Sequence, residues 1–167
     1  MELQELVQKT VDFIENFADE NGEPKYKNMI DESIKNNDKP RIDPNDIAMY
    51  DKELAEALKT VEKGKEDSIR KKFSKIVILY MKTRASLLNG ELPGAELKGD
   101  FVFLKKEYIE GVDQENEDKP SIEEIAQYFA GYVMPIDGEE VVVTRFWRFA
   151  LMMIITFLAN SGELKMG

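Results

Sequence analysis

The chain has 167 residues, of which 43% are hydrophobic and 34% are charged, and its formal net charge is −10. It contains neither cysteine nor histidine, which excludes disulfides, thiolate nucleophiles, Cys/His zinc sites and imidazole acid–base catalysis. This composition is typical of a folded acidic protein, and it disfavours a surface that wraps nucleic acid on every side.

Helical periodicity dominates the first part of the chain. Apolar residues at three- and four-residue steps predict an amphipathic helix over 2–19 that ends near Asn21-Gly22. Pro24 suits the first turn of a second helix, which the segment KNNDKPR ends. Each helix carries one apolar face, so we expect both to pack against other elements.

Residues 41–58, RIDPNDIAMYDKELAEAL, predict two short consecutive helices. Asp43 can cap the first helix, with Pro44 at its first position. Asp51 can cap the second helix, which carries Leu54 and Leu58. Two caps this close together let the chain change direction and bury its apolar residues against two different neighbouring elements. We therefore expect a corner of a helical bundle here.

The longest predicted helix covers about residues 65–88 and has two contrasting sides. Its inner side consists of Ile69, Phe73, Ile76, Val77, Tyr80, Leu87 and Leu88. Lysines cluster on the opposite side, and two aliphatic residues lie beside them. These outer residues are Lys71, Lys75, Ile78, Leu79 and Lys82. The outer side is thus a basic surface that contains a small apolar patch.

The segment from Lys63 to Arg84 is strongly basic within an acidic protein, with eight basic residues against Glu66 and Asp67. One interpretation is a solvated helix face that pairs with acids of neighbouring helices. The other is a contact for a phosphate backbone or for an acidic protein surface. On the second interpretation, the partner-binding residues are Lys71, Lys75, Ile78, Leu79 and Lys82.

The second half of the chain mixes strand and helix signals. Glycines and a proline predict a loop over 89–100, and the following FVFL predicts a short strand. Residues 107–118 contain six acids and no base, which predicts a solvated loop. Ser121 and Glu124 form a capping box for a helix that ends before Pro135.

The last part of the chain predicts a turn, a strand and a helix. Asp137-Gly138 is a turn signal, and Val141–Val143 predicts a second short strand. Thr144 is predicted to cap a final helix that ends near Asn160 and is apolar on all sides. A helix of this kind is either central in the protein or covered by a partner, so we also expect a homo-oligomer.

Membrane association is not expected. The most apolar stretch, FALMMIITFLA, has about half the length that spans a bilayer, so we predict a buried core helix, with an interfacial membrane helix as the alternative. The N-terminus lacks the pattern of a signal peptide, and the absence of cysteine fits a reducing compartment. We therefore expect a cytoplasmic location.

The sequence offers no recognisable catalytic motif. Phosphate-binding glycine loops and dinucleotide fingerprints are absent from it. The acidic run at Asp113, Glu115 and Glu117 lacks the turn glycine and the distant glutamate of a calcium loop. Capping explains Asp43 and Asp46 more simply than metal binding does. We therefore expect no catalytic residue, no metal and no cofactor.

These elements together predict a mainly α protein. We expect a compact bundle of about six helices, with a small two-stranded β element in the C-terminal half. Residues 1–90 would form an N-terminal helical bundle. Residues 91–167 would form an α(+β) region packed on it, and a single domain is the alternative.

Residues 25–58 resemble the N-terminal helical subdomain of archaeal minichromosome maintenance (MCM) replicative helicases. The residues that carry the resemblance are Tyr26-Lys27, Ile42-Asp43, Asp46-Ile47, Tyr50-Asp51 and Leu54-Ala55 with Leu58. The likeness extends over about residues 2–74. Members of that family continue into a β-barrel, usually with a zinc ribbon, and an ATPase module, and this chain lacks their cysteines and Walker motif. The resemblance therefore implies a relative of the helical regulatory subdomain without a helicase motor.

Three functional hypotheses follow. The first is a non-enzymatic helical interaction or accessory protein with a protein partner, linked to DNA replication or another nucleoprotein assembly. The second is a small nucleic-acid-binding regulator whose C-terminal half is a winged-helix-like unit. The third is an enzyme that uses carboxylates and a divalent metal. Nucleic acid would bind through the local basic face on the first or second hypothesis.

Overall fold

The structure is a computed structural model that describes residues 1–59, 68–111 and 120–163. These residues form eight α-helices and one four-stranded antiparallel sheet. The chain divides into two compact units. We call Met1–Lys82 with Ile154–Gly167 the helical unit, and Thr83–Met153 the sheet unit.

The prediction of a mainly helical protein is confirmed, but its finer description is wrong. The described residues contain eight helices and four strands instead of about six helices and two strands. The expected boundary lay at residue 90, whereas the compact units divide after Lys82, and the segment from Ile154 onward belongs to the helical unit. Two helices, Ser68–Leu88 and Phe146–Asn160, thus contribute residues to both units.

The helical unit contains five helices in its N-terminal segment. They are α1 (Leu3–Asn16), α2 (Lys25–Asn36), α3 (Pro44–Tyr50), α4 (Lys52–Lys59) and α5 (Ser68–Leu88), the last of which extends into the sheet unit. The corner between α3 and α4 forms as predicted. Asp43 accepts a hydrogen bond from the Asn45 backbone nitrogen at 2.9 Å, and Asp51 accepts one from the Leu54 backbone nitrogen at 3.0 Å.

The core of the helical unit combines aliphatic and aromatic side chains. Phe13, Ile14, Tyr26 and Leu54 are fully buried, and the rings of Phe13 and Tyr26 lie 5.0 Å apart. The inner side of α5 is also largely as predicted, because Phe73, Ile76, Val77 and Tyr80 are buried. The start predicted for this helix at residue 65 lies outside the described residues.

The sheet unit begins with a hairpin and ends in an apolar helix. Its remaining elements are β1 (Ala95–Lys98), β2 (Phe101–Leu104), α6 (Lys106–Gly111), α7 (Ile122–Tyr128), β3 (Tyr132–Ile136), β4 (Glu139–Arg145) and α8 (Phe146–Asn160). The strand order is β1-β2-β4-β3, and every neighbouring pair is antiparallel. Val102, Leu104, Val142 and Thr144 share the buried face, because directly paired residues point to the same side of a sheet.

Several predictions for this unit need correction. The expected loop over 89–100 contains β1, which pairs with β2 from Ala95 to Lys98. The expected acidic loop is helical over Lys106–Gly111, and residues 112–119 lie outside the described part. The capping box of Ser121 and Glu124 is confirmed.

The helix after that capping box is shorter than predicted. It ends at Tyr128, and Ala130 adopts a positive φ of 51°, which turns the chain into β3. Pro135 is therefore a residue of an edge strand, where its missing N–H costs no ladder hydrogen bond. Thr144 is also wrongly predicted. It lies buried in β4 and donates a hydrogen bond to the Phe129 carbonyl at 2.8 Å, so it does not cap α8.

The apolar character of α8 is largely satisfied inside the protein. Phe146, Phe149, Ala150, Ile154 and Leu158 are nearly inaccessible to solvent. Phe157 is the large exposed apolar side chain of this helix, with 49% of its surface accessible. Of the helices that the structure describes, none has the length and apolarity needed to cross a bilayer.

Candidate partner-binding surface along α5

Helix α5 concentrates positive charge in an acidic protein. Its 21 residues include no acidic side chain. Its basic residues are Arg70, Lys71, Lys72, Lys75, Lys82 and Arg84. The helix itself therefore supplies no neutralising charge, and each cation depends on residues elsewhere in the protein for a partner.

The five predicted partner-binding residues do not form one uniform face. Lys71 and Lys82 are exposed, and Ile78 and Leu79 are half-buried. Lys75 differs, because its ammonium lies 2.5 Å from Glu163 Oε2 and 5.7 Å from the centre of the Phe157 ring. The Lys75 hydrogen bond lowers the pKa of the Glu163 carboxyl. Lys75 is thus engaged within the helical unit.

The C-terminal end of the predicted basic segment differs from the expectation. Lys63 and Lys65 lie outside the described residues. Arg84 is only 7% exposed, and its guanidinium lies over the Phe146 ring, with 4.9 Å from Cζ to the ring centre. Periodicity alone could not identify this burial, because Phe146 is far along the chain. The exposed basic surface is accordingly shorter than the sequence suggested.

An open groove runs beside α5 within the helical unit. One section has a volume of about 400 Å³ and a second section about 530 Å³. Ile42, Phe73 and Ser74 line both sections, so the two sections of the groove lie next to each other. We call it the α5 groove. Its other described lining residues are Lys39, Pro40, Pro44, Ile47, Ala55, Leu58, Lys59, Arg70, Val77 and Ile78.

The groove combines an apolar floor with basic margins. Among its described lining residues, Lys39, Lys59 and Arg70 are basic and none is acidic. The Arg70 side chain is held in place, because its Nε donates a hydrogen bond to the Leu58 carbonyl at 2.8 Å. Lys71, Ser74, Ile78 and Lys82 follow one another at helical spacings, so the two exposed lysines flank the groove wall.

Two carboxylates of the α3–α4 corner, Asp46 and Asp51, are engaged within the helical unit. Asp46 Oδ2 lies 2.6 Å from both Lys25 Nζ and the Tyr26 hydroxyl, and these hydrogen bonds lower the pKa of Asp46. Burial alone would raise the pKa of Asp51, but hydrogen bonds from Leu54 and Lys9 lower it overall. The acids of the α3–α4 corner are therefore used for folding.

The same contacts explain residues that carry the MCM resemblance. Tyr26 joins α2 to the α3 cap, since its hydroxyl donates to Asp46 and accepts a hydrogen bond from the Asp43 backbone nitrogen at 2.9 Å. Tyr50 donates a hydrogen bond to Asp12 at 2.8 Å. Tyr26 and Tyr50 thus hold the helical unit together. Other matched residues line the α5 groove, namely Ile42, Ile47, Ala55 and Leu58.

Sequence reasoning missed the wall of the groove opposite α5. That wall comes from residues 39–47, where Ile42 is half-buried and Pro44 is exposed. The available signal was weak: two prolines flank a solitary isoleucine, with no helical or strand periodicity. Only the folded chain brings this segment beside Phe73 and Ser74.

The solvent-facing side of the sheet is a second candidate surface. Phe101, Tyr132 and Met134 are 38%, 75% and 45% exposed, and the strand register places them on one face with Phe103 and Arg145. Its cations have close partners. Lys105 binds Glu96 at 2.8 Å, Lys98 lies over the Phe103 ring, and Arg145 lies over the Phe101 ring. The hydrogen bond with Glu96 raises the pKa of Lys105, and Asp137 and Glu139 at the hairpin turn add to this rise electrostatically.

Two further observations bear on function. Within residues 1–59, 68–111 and 120–163, no three acidic side chains converge as a metal-binding group. Comparison of the chain with protein-family models, with curated proteins and with solved structures gave no match.

Proposed function

We propose that the protein is a non-enzymatic interaction protein whose α5 surface binds a protein partner. The observation that supports this proposal is a helix with six basic and no acidic residues beside an open apolar groove, in a protein of net charge −10. Of the predicted partner-binding residues, Lys71 and Lys82 are exposed and Ile78 is half-buried. Such a surface attracts acidic partners electrostatically and offers apolar area for stable association.

The link to a nucleoprotein assembly is a separate part of the proposal. It is supported by the resemblance of residues 25–58 to the helical subdomain of MCM helicases. The winged-helix alternative receives no such support, because β4 pairs with both β2 and β3 and the hairpin is part of a larger sheet. The metal-dependent alternative likewise has no converging acidic group among the described residues to favour it.

Site-specific photo-crosslinking in cells tests the proposed function. A benzophenone amino acid at position 71 or 82 should give a discrete protein adduct, whereas the same group at Lys52, an exposed position on α4, should not. Lys71→Glu with Lys82→Glu should reduce an adduct formed from a probe at Ile78 by at least about tenfold. Equal adducts from all positions, or an adduct unchanged by the double substitution, would contradict the proposal.

The choice of these two lysines follows from the structure. A triple substitution that includes Lys75 would also break its contact with Glu163, and the result would mix partner binding with folding. Lys35→Glu with Lys52→Glu is the matched control, because both lysines are exposed and neither lines the groove. The control changes net charge equally and should leave the adduct intact.

A further inference from the structure

The shape of the α5 groove restricts what can occupy it. One wall is α5 from Arg70 to Ile78, a rise of about 12 Å, or roughly two helical turns. Apolar anchors at positions i, i+4 and i+7 of a helix cover about 10 Å along its axis. The groove therefore matches two or three anchors on a short helical segment.

The positions of the basic side chains also restrict the charge of a molecule that occupies the groove. Lys59 and Arg70 line one section, and Lys39 lines the other, so basic residues stand beside both sections. Lys71 and Lys82 extend the same charge along the outer side of the α5 wall. An occupant with acidic residues flanking its anchors would pair with these cations, and a basic occupant would be repelled.

We propose that the α5 groove binds an acidic amphipathic helical segment of another protein, which inserts apolar side chains between Ile42 and the Phe73–Ser74 turn of α5. This inference rests on the proposed function and specifies its partner chemistry. Carboxylates of the segment meet Lys39, Lys59 and Arg70, while its anchors cover Leu58, Val77 and Ile78.

The lining favours a protein segment over nucleic acid. Single-stranded nucleic acid needs exposed aromatic faces on which bases stack. Phe73, the aromatic residue in the described lining, is only 9% exposed and offers no free ring face. Phosphate groups would gain from the cations but would leave Ile42, Leu58 and Ile78 uncovered. The apolar part of the groove is better covered by aliphatic or aromatic side chains.

Selection from a random peptide library tests the proposal on the full-length protein. Displayed peptides of about 16 residues should be enriched when they carry several acids and apolar residues at helical spacing. A labelled peptide from this selection then serves as the binding probe in fluorescence anisotropy. Enrichment of basic peptides, or of peptides without apolar spacing, would overturn the proposed chemistry.

Variants locate the bound peptide. Ser74→Trp fills the groove from an exposed position that lines both sections, and it should weaken probe binding by at least about tenfold. Lys39→Glu with Lys59→Glu should cause a similar loss that is largest at low salt. The matched controls are Gln8→Trp on the exposed side of α1 and Lys35→Glu with Lys52→Glu, each expected to change affinity less than about twofold.

The Ser74→Trp variant also distinguishes other occupants of the groove. Binding of a labelled single-stranded or duplex oligonucleotide that is lost in Ser74→Trp would assign the groove to nucleic acid and overturn the proposal. Sedimentation that shows self-association abolished by Ser74→Trp would assign it to a second copy, with the same consequence. Thermal melting of every variant verifies that the loss of binding is not a loss of folding.

The two proposals can fail separately. If crosslinks from positions 71 and 82 persist while Ser74→Trp has no effect on the crosslinked partner, α5 binds a protein but the groove inference is wrong. If the selected peptide binds and is blocked by Ser74→Trp, yet no cellular protein is crosslinked from α5, the groove chemistry stands and the proposed cellular function is wrong.

Discussion

The helical unit and the sheet unit use polar side chains in different ways. In the helical unit, tyrosine hydroxyls and lysines bind carboxylates beneath the surface, as in the Tyr26–Asp46 contact and the Tyr80–Glu15 contact, each at 2.6 Å. In the sheet unit, the buried face is made of aliphatic residues with Thr144 among them. The sheet unit keeps its ion pairs, such as Lys105 with Glu96, in the solvent.

This difference is the reason why we propose partner binding at the α5 surface and not at the open sheet face. Asp46 and Asp51 are engaged within the helical unit, whereas Lys71 and Lys82 are exposed on the α5 surface. On the open sheet face, cations and acids are close neighbours and the charges largely offset each other. The exposed apolar residues of the two units therefore have different charged surroundings.

The largest expected effect concerns the backbone of the sheet unit. Gly94 has a φ of +80°, and an added Cβ would collide with the Tyr108 backbone nitrogen. Gly94→Ala should therefore lower the free energy of unfolding by about 3 kcal/mol, from left-handed strain and a steric clash together. Urea denaturation at about pH 5 and about pH 8 should give the same loss, since no ionisable side chain is involved.

Gly99→Ala is the matched control for this substitution. Gly99 has a φ of +60°, but nothing lies within 4 Å of the added Cβ. The loss should be about 1 kcal/mol, from backbone strain alone. Equal losses in the free energy of unfolding at the two glycines would show that the close approach of Gly94 to α6 adds nothing to the cost of the substitution.

The next effect tests the polar interior of the helical unit. Tyr26 is 1% exposed, and Tyr26→Phe removes its hydrogen bonds to Asp46 and from the Asp43 backbone nitrogen. The free energy of unfolding should fall by about 2 kcal/mol at neutral pH, because one acceptor is charged. Tyr132→Phe, at a tyrosine that is 75% exposed, should change it by less than about 0.3 kcal/mol.

The pH dependence of this effect has a defined sign. The folded pKa of Asp46 lies below its ordinary value of 3.8, so the ionised carboxylate stabilises the folded state. This stabilisation is fully present above about pH 4 and is lost as the pH falls through the lower folded pKa. The difference between wild type and Tyr26→Phe should shrink over the same range in acid denaturation. A constant difference would contradict the charged contact.

A smaller effect tests the buried hydrogen bond of Thr144 in the sheet unit. Thr144→Val removes the hydrogen bond to the Phe129 carbonyl, which lies at the end of α7, and preserves the shape of the side chain. The free energy of unfolding should fall by about 1 kcal/mol and should do so equally at all pH values between about 5 and 8. A pH-dependent loss would imply that an ionisable group supports the strand and would weaken the contrast between the units.

The sequence predicts the local features of the fold well. The caps of α3 and α4, the capping box of α7 and the buried stripe of α5 depend on residues close together in the chain. The strand β1 and the early end of α7 were not predicted. Val133 suits a helix face by spacing, but its pairing with Val142 in β4 decides its structure. Competing periodicities of this kind are settled by tertiary contacts.

The candidate site was predictable only in part. The outward position of Lys71 and Lys82 follows from helical spacing, and both are exposed. The engagement of Lys75 was not predictable, because Glu163 lies 88 residues away along the chain. The groove was missed for the same reason, since its second wall comes from residues around Ile42. A surface composed of distant segments leaves no periodic signal in either segment.

The smallest expected effect separates Lys75 from the rest of the α5 surface. Lys75→Gln should change the affinity for the groove-binding peptide less than about twofold, because its ammonium already pairs with Glu163. The melting temperature should shift by no more than about 2 °C, since both side chains are substantially exposed and the pair is screened by water and salt. Lys71→Gln, measured in parallel by anisotropy, should weaken binding more. If Lys75→Gln has the larger effect, the ion pair with Glu163 opens on binding, and Lys75 belongs to the contact surface as the sequence first suggested.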